Sequence, residues 1–180
     1  MNILGIDPGS RKMGYAAIKV INNKAIYLGS GVIRFKNLDN FFERIGEIYS
    51  SVSKIMGELD FSEVALESLI NVKNVNSLSK LAQARGAMVA AAMQHGNVKI
   101  FEYSPNLIKS SVSGFGHADK LSVQRSLELV FNQKFNFKTD DESDALAIAY
   151  GHWCLRGRGK ERRGSGLQNS IDLGKFKGLK

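Results

Sequence analysis

A single cysteine, Cys154, stands in 180 residues, which excludes an intrachain disulfide and the small secreted scaffolds that use bridges in place of a core. No apolar run approaches the roughly 18 to 20 residues that cross a bilayer, because charged and glycine-rich segments interrupt every candidate. The opening Met1-Asn2-Ile3-Leu4-Gly5 has neither the basic start nor the long apolar stretch of a secretory signal. The expectation is a soluble protein of a reducing cytoplasm with no membrane contact. Cys and His nowhere cluster with metal-ligand spacing, and no internal repeat is present. A hydrophobic fraction of 43% is nonetheless enough for one compact domain to bury a core unaided.

Charge of negative sign is also in short supply, for the chain carries a formal +8. From Arg156 to Lys180 eight Lys or Arg face only Glu161 and Asp172, so this stretch holds +6 and residues 1–155 hold +2. A basic tail aids solubility, and it also suits a polyanionic partner. Its composition is too polar and glycine-rich to build a core, so residues 156–180 read as a disordered appendage to a domain of residues 1–155.

Within that domain the apolar run Met1 to Asp7 ends at Pro8-Gly9-Ser10, a strand entering a turn. Gly14–Ile21 and Ala25–Ile33 flank Asn22-Asn23-Lys24 as a hairpin. Phe41, Phe42, Ile45, Ile48, Tyr49, Val52, Ile55, Met56 and Leu59 recur at steps of three and four, the period of an amphipathic helix. Val64–Glu67 reads as a buried strand. Ser77–His95 reads as a helix whose apolar face is Leu78, Leu81, Met88, Val89, Ala92 and Met93, and Lys99–Tyr103 as another strand. A short helix follows Pro105, then the glycine-containing loop Ser113–Lys120, then helices over Leu121–Phe131 and from Asp140 through Trp153. Paired strands followed by alternating helices and strands predict an α/β mixed sheet with helices on its faces.

Four acids stand out against this frame. Glu67 closes the apolar strand Val64-Ala65-Leu66, where an unpaired carboxylate costs several kcal/mol unless a proton, a cation or donors satisfy it. A glutamate turned to solvent at the strand end is the alternative. Asp7 also ends an apolar strand, where open α/β sheets place ligand sites, although an Asx turn before Pro8-Gly9 accounts for it as well. Asp141 and Asp144 share one face of the last helix, yet acids at a helix start also suit capping and the helix dipole. If the four converge, each pair about 4 Å apart repels by about 4 kcal/mol at an effective dielectric near 20. Some must then protonate or bind divalent cations. Oxygen-only ligands favour a hard ion such as Mg²⁺ or Mn²⁺ over zinc, and two such ions support hydrolysis of a phosphodiester.

Gly5-Ile6-Asp7-Pro8-Gly9-Ser10, Ala65-Leu66-Glu67, Gln83-Ala84-Arg85-Gly86 and Asp141-Glu142-Ser143-Asp144-Ala145-Leu146-Ala147 occur in that order, and over about residues 1–155 the chain resembles the RuvC family of Holliday junction resolvases. The resemblance implies an RNase H-like fold with a mixed five-stranded sheet and helices on both faces. It further implies a magnesium-dependent endodeoxyribonuclease of recombination and repair that makes paired symmetric nicks in four-way junction DNA. Asp7, Glu67, Asp141 and Asp144 fall on the family's catalytic, metal-binding acids, with two Mg²⁺ per subunit expected and Mn²⁺ as a substitute. Lys109 and Lys120 fall on its DNA-contacting basic positions. A homodimer is implied, with Ser77–His95 a candidate interface helix, as are RuvA and RuvB branch-migration partners. Where the family often places an aromatic three residues beyond the strand glutamate, this chain has Ile70, so junction opening is expected to use apolar insertion by Ile70 or stacking by Phe115.

An ATPase of the actin and sugar-kinase type opens similarly but requires a second glycine-rich phosphate loop, which is absent, and a much longer chain. A non-catalytic binding module leaves the four acids without a purpose. A YqgF-type nuclease acting on RNA shares the acids, but Gln83–Gly86 and the Lys120 loop favour the resolvase. If the tail adds sequence-independent affinity for DNA, deleting residues 158–180 will flatten the salt dependence of junction binding; an unchanged slope in log affinity against log salt would exclude that role.

Overall fold

The structure, a computed structural model, describes residues 1–35, 40–69 and 74–156. Ile70 and the tail from residue 157 lie outside the described residues, so the expectations placed on them are not addressed by the fold. The first elements are β1 (Asn2–Asp7), β2 (Lys12–Ile21) and β3 (Lys24–Arg34). Asn22 and Asn23 link β2 to β3 with φ of 49° and 59°, both in the left-handed region. Asparagine tolerates that region, and a two-residue turn of this hand matches the twist of the hairpin.

The chain continues through α1 (Phe41–Glu58), β4 (Phe61–Glu67), α2 (Val75–Met93), β5 (Lys99–Tyr103), α3 (Pro105–Ser113), α4 (Lys120–Phe131) and α5 (Asp140–Leu155). Side chains cap most helix starts: Asn40 accepts from Phe42 N, Asn74 from Asn76 N and Ser77 N, and Asp119 from Ser122 N. The strand order is β3-β2-β1-β4-β5. β2 runs antiparallel to β1 and β3, whereas β4 runs parallel to β1 and to β5. The expected mixed five-stranded sheet is therefore present, and Asp7 and Glu67 end adjacent parallel strands on the same side.

Side chains alternate across the sheet and feed two cores. Leu4, Ile6, Val64 and Leu66 pack under α1 and α2 with Ile48, Val52, Met56 and Met88. Ile3 and Ala65 pack on the opposite face with Ile108, Val123, Leu127, Leu146 and Ile148 from α3, α4 and α5. Two helix faces depart from expectation. On α1, Phe42 is 76% and Tyr49 37% exposed, because both lie outside the stripe that buries Ile48, Val52 and Met56. On α2 the buried residues are Ala84, Met88, Ala91 and Ala92, while Met93 is 59% exposed. A step of one residue rotates the helix by about 100°, which carries Met93 away from the line formed by Ala84, Met88 and Ala92.

Helix α5 is buried around much of its circumference, including Ala145 to Ala149, Gly151 and His152. It reaches the sheet because two strand glycines carry no side chain. A Cβ on Gly5 would overlap the backbone oxygen of Ala145 and come within 2.6 Å of Ala149 N. On Gly14, opposite Asp7 in the β1–β2 ladder, it would overlap the backbone oxygen of Asp141 and stand 3.0 Å from its Cβ. At the far end α5 is pinned by a polar chain. Arg156 donates to Glu63 Oε1 at 2.6 Å, His152 Nε2 lies 2.8 Å from Glu63 Oε2, and Tyr103 Oη lies 2.7 Å from His152 Nδ1. Burial holds His152 below its ordinary pKa and pushes Tyr103 up to about 12. A neutral imidazole therefore donates from Nε2 to Glu63 and accepts the Tyr103 hydroxyl at Nδ1.

Gly14→Ala is expected to lower stability in urea denaturation by about 1 to 3 kcal/mol, since the α5 backbone must shift. Gly46→Ala, on an exposed turn of α1 where a Cβ meets nothing within 4 Å, should instead raise it by about 0.5 to 1 kcal/mol.

Candidate active site

Asp7 and Glu67 are the last residues of β1 and β4, and Ile6 is paired with Leu66 in the intervening register. By strand alternation both acids share the face of Gly5 and Ala65, the face that α5 covers. Asp141 and Asp144 come from the first turns of α5, which Gly14 brings down on the sheet. The helix cap is Thr139, with no side-chain capping bond, and Asp141 and Asp144 instead engage lysines.

Lys12 Nζ donates to Asp141 Oδ2 at 2.7 Å. Lys120 Nζ is shared between Asp140 Oδ2 at 3.0 Å and Asp144 Oδ2 at 3.4 Å. Glu67, Lys109, Lys120 and Asp144 line one small recess whose apolar wall includes Ile108 and Ile148. The expected basic residues Lys109 and Lys120 thus stand with two of the expected acids.

The electrostatics follow from this placement. Burial, then the charges of Asp144, Glu67 and Asp141, push Asp7 up to about 7. Glu67 is raised by burial and by Asp144, with Lys109 and Lys120 pulling against that shift. Burial raises Asp144 in spite of Lys120. Asp141 alone among the four falls below its ordinary value, because Lys12 outweighs the effect of burial. Burial also works against the charge of Lys120, but Asp140 and Asp144 prevail and raise its pKa.

Asp7, Glu67 and Asp144, raised by burial and by neighbouring acids, call for positive charge, and an oxygen-only donor set fits a hard divalent ion. Among the described residues no three Asp, Glu, His or Cys groups are drawn together as a ready ligand set. Asp141 Oδ2 and Asp144 Oδ2 are each in contact with an ammonium group instead. The residues fit the ion in chemistry, and the lysine contacts are what it would have to replace.

Phe115 sits in the loop between α3 and α4, after Gly114, whose φ of 82° ends α3 in the left-handed region. Its ring is 62% exposed and meets His117 edge-on at 5.8 Å, so it is not a core residue. Two features escaped the sequence reading. Lys12 was not singled out; its place just beyond the Pro8-Gly9 turn is the only sequence signal, and its meeting with Asp141 depends on β2 pairing back along β1. The buried Glu142, 8% exposed, accepts from Ser30 Oγ at 3.3 Å and was read only as a helix-start acid.

Residues 3–152 match the family described as Crossover junction endodeoxyribonuclease RuvC. The chain is 42% identical over 150 residues to the RuvC endodeoxyribonuclease of Histophilus somni, covering 83% of this chain and 78% of the relative. Identity to the Rhodopseudomonas palustris protein is 39% over 158 residues, covering 87% and 89%. Among solved structures, Thermus thermophilus RuvC superposes with a TM-score of 0.79 at 28% identity, covering 88% of this chain and 97% of its own. The T. thermophilus protein in complex with Holliday junction substrate gives 0.78 at 26% identity over the same shares.

The raised Asp7 pKa has a definite sign in stability. The stability contributed by protonated Asp7 is fully present below its unfolded value near 3.8 and is lost as pH rises through about 7. In EDTA, Asp7→Asn should therefore melt above wild type at pH 8, and the gap should narrow toward pH 5. A constant gap across that range would contradict the repulsion.

Proposed function

The chain belongs to the RuvC family of crossover junction endodeoxyribonucleases, and from that premise we propose that Asp7, Glu67, Asp141 and Asp144 form its catalytic centre. The observation that carries the reading is placement: Asp7 and Glu67 end adjacent parallel strands, and Gly14 brings the first turns of α5, with Asp141 and Asp144, down beside them. The substrate is four-way junction DNA, cut by symmetric paired nicks during recombination and repair. The same four carboxylates would hold Mg²⁺, two per subunit with Mn²⁺ as a substitute. The chemistry the metal supplies when bound is activation of the attacking water and stabilisation of the leaving 3′ oxygen.

The chain's own groups have distinct parts. Asp7, which burial and the neighbouring acids push up to about 7 without a cation, would be held ionised by a bound divalent ion. Lys109 and Lys120, beside Glu67 and Asp144 in one recess, would position the scissile phosphate and offset its charge. Phe115 presents an exposed ring on the neighbouring loop and would stack on a base at the opened junction. Ile70, on sequence grounds, would wedge between bases.

Two equivalent strands call for two sites related by a two-fold axis, hence a homodimer. Helix α2 is the proposed interface, with Val75 79% and Met93 59% exposed and open space above Gly86. Residues 1–155 would form the nuclease domain and 156–180 a basic tail, with RuvA and RuvB as partners in a cytoplasmic setting. Among the described residues no helix is long and apolar enough to cross a membrane.

The test is incubation of a synthetic four-way junction, a linear duplex and an RNA hairpin with wild type and Asp7→Asn, with and without Mg²⁺. Paired nicks confined to the junction, dependent on Mg²⁺ and reduced at least about a hundredfold in the variant, are expected. Cleavage of the RNA hairpin alone would overturn the assignment of substrate.

A further inference from the structure

Lys12 lies outside the four short motifs that first point to the family, yet its ammonium donates a hydrogen bond to one of the four acids. It is the first residue of β2, and its backbone is held on both sides. Lys12 pairs with Arg34 across the β2–β3 ladder, and Phe35 N donates to Arg11 O at 2.9 Å. The preceding turn is so tight that a Cβ on Gly9 would overlap the Lys12 carbonyl oxygen. From this fixed root the side chain reaches Asp141 Oδ2 at 2.7 Å, where the lysine is 49% and the aspartate 15% exposed.

The two lysines of the site differ in a way that matters. Lys120 bridges Asp140 and Asp144, so Asp140 remains as a counter-ion if Asp144 turns away. Among the described residues Lys12 hydrogen-bonds only Asp141, although its charge also acts on Asp7. An ammonium and a divalent ion cannot both take the same face of one carboxylate oxygen without severe repulsion. A half-exposed lysine on a flexible stem is nevertheless able to swing away, since such a pair is weak and screened by salt.

We propose that Lys12 is a tethered stand-in for the metal: it orients and neutralises Asp141 in the metal-free enzyme and is displaced when a divalent ion binds there. Lys12 thereby sets how much free metal the site requires and keeps its acids apart from one another's full charge beforehand. It is a positioning residue, acting through Asp141. The inference rests on the reading above that Asp141 is a metal ligand.

The experiment titrates Mn²⁺ into the full chain at pH 8 without DNA, counting free Mn²⁺ by its electron paramagnetic resonance signal. Lys12→Met should bind Mn²⁺ about three- to tenfold more tightly than wild type, the range expected from freeing an exposed pair. Lys12→Gln should behave alike, and Lys12→Arg should stay near wild type. Lys19→Met, a charge change farther along β2, should leave affinity unchanged. In an Asp141→Asn background the Lys12→Met gain should vanish, which separates the direct contact from a general change in charge. Melting in EDTA should show Lys12→Met below wild type, with saturating Mn²⁺ closing that gap. Equal or weaker Mn²⁺ binding by Lys12→Met and Lys12→Gln, or a gain that persists with Asp141→Asn, overturns the role of Lys12 while leaving Asp141 a ligand. Undiminished Mn²⁺ binding by Asp141→Asn overturns the ligand assignment itself, and the Lys12 inference with it.

Discussion

Helix α5 lies backbone against backbone on β1 and β2 because Gly5 and Gly14 leave no side chain between them. Dense interiors transmit such contacts without slack, so the height of α5 above the sheet sets where Asp141 and Asp144 stand. Asp7 and Glu67 are placed independently, by the parallel pairing of β1 with β4. The cluster is the intersection of these two placements. A methyl group at Gly14 would press on Asp141 itself, which makes this glycine as much a part of the site as the acids it admits.

One strand shows how completely surroundings decide the state of a carboxyl group. Glu63 and Glu67 are four residues apart on β4 and face the same side. Burial opposes the charge of Glu63, but Arg156 and His152 donate to it and hold it below the usual carboxylate range. Glu67 meets burial and Asp144 instead and is raised. The first arrangement anchors the end of α5 to the sheet with its charge answered inside the protein. The second leaves negative charge in surplus, answered only by half-exposed lysines, which is the condition under which a site takes up external cations. The charge is answered within the protein at one end of α5 and left in surplus at the other.

Similarity to RuvC proteins runs over residues 3–152, the span that contains both ends of α5 and the whole sheet. Within it, Phe115 stands exposed on the α3–α4 loop and Lys12 at the mouth of the site. Neither side chain supports the core, and both are open to solvent or a ligand.

Much of this was legible in the sequence because it depends on near neighbours. The asparagine pair between two apolar runs determined a hairpin, the three-four spacing of Phe41 to Leu59 determined α1, and the ordered motifs identified the family. The face of α2 was read less well, since Met93 is as apolar as Met88 and only packing against the sheet separates them. That the four acids influence one another, against the equally good turn and capping explanations, was decided by tertiary structure. So was the pairing of Lys12 with Asp141, across 129 residues of chain. Sequence specifies what each residue can do over a few neighbours, through backbone geometry and periodicity. Which charges meet depends on strand register and on how closely a helix approaches a sheet, and those are properties of the whole packed molecule.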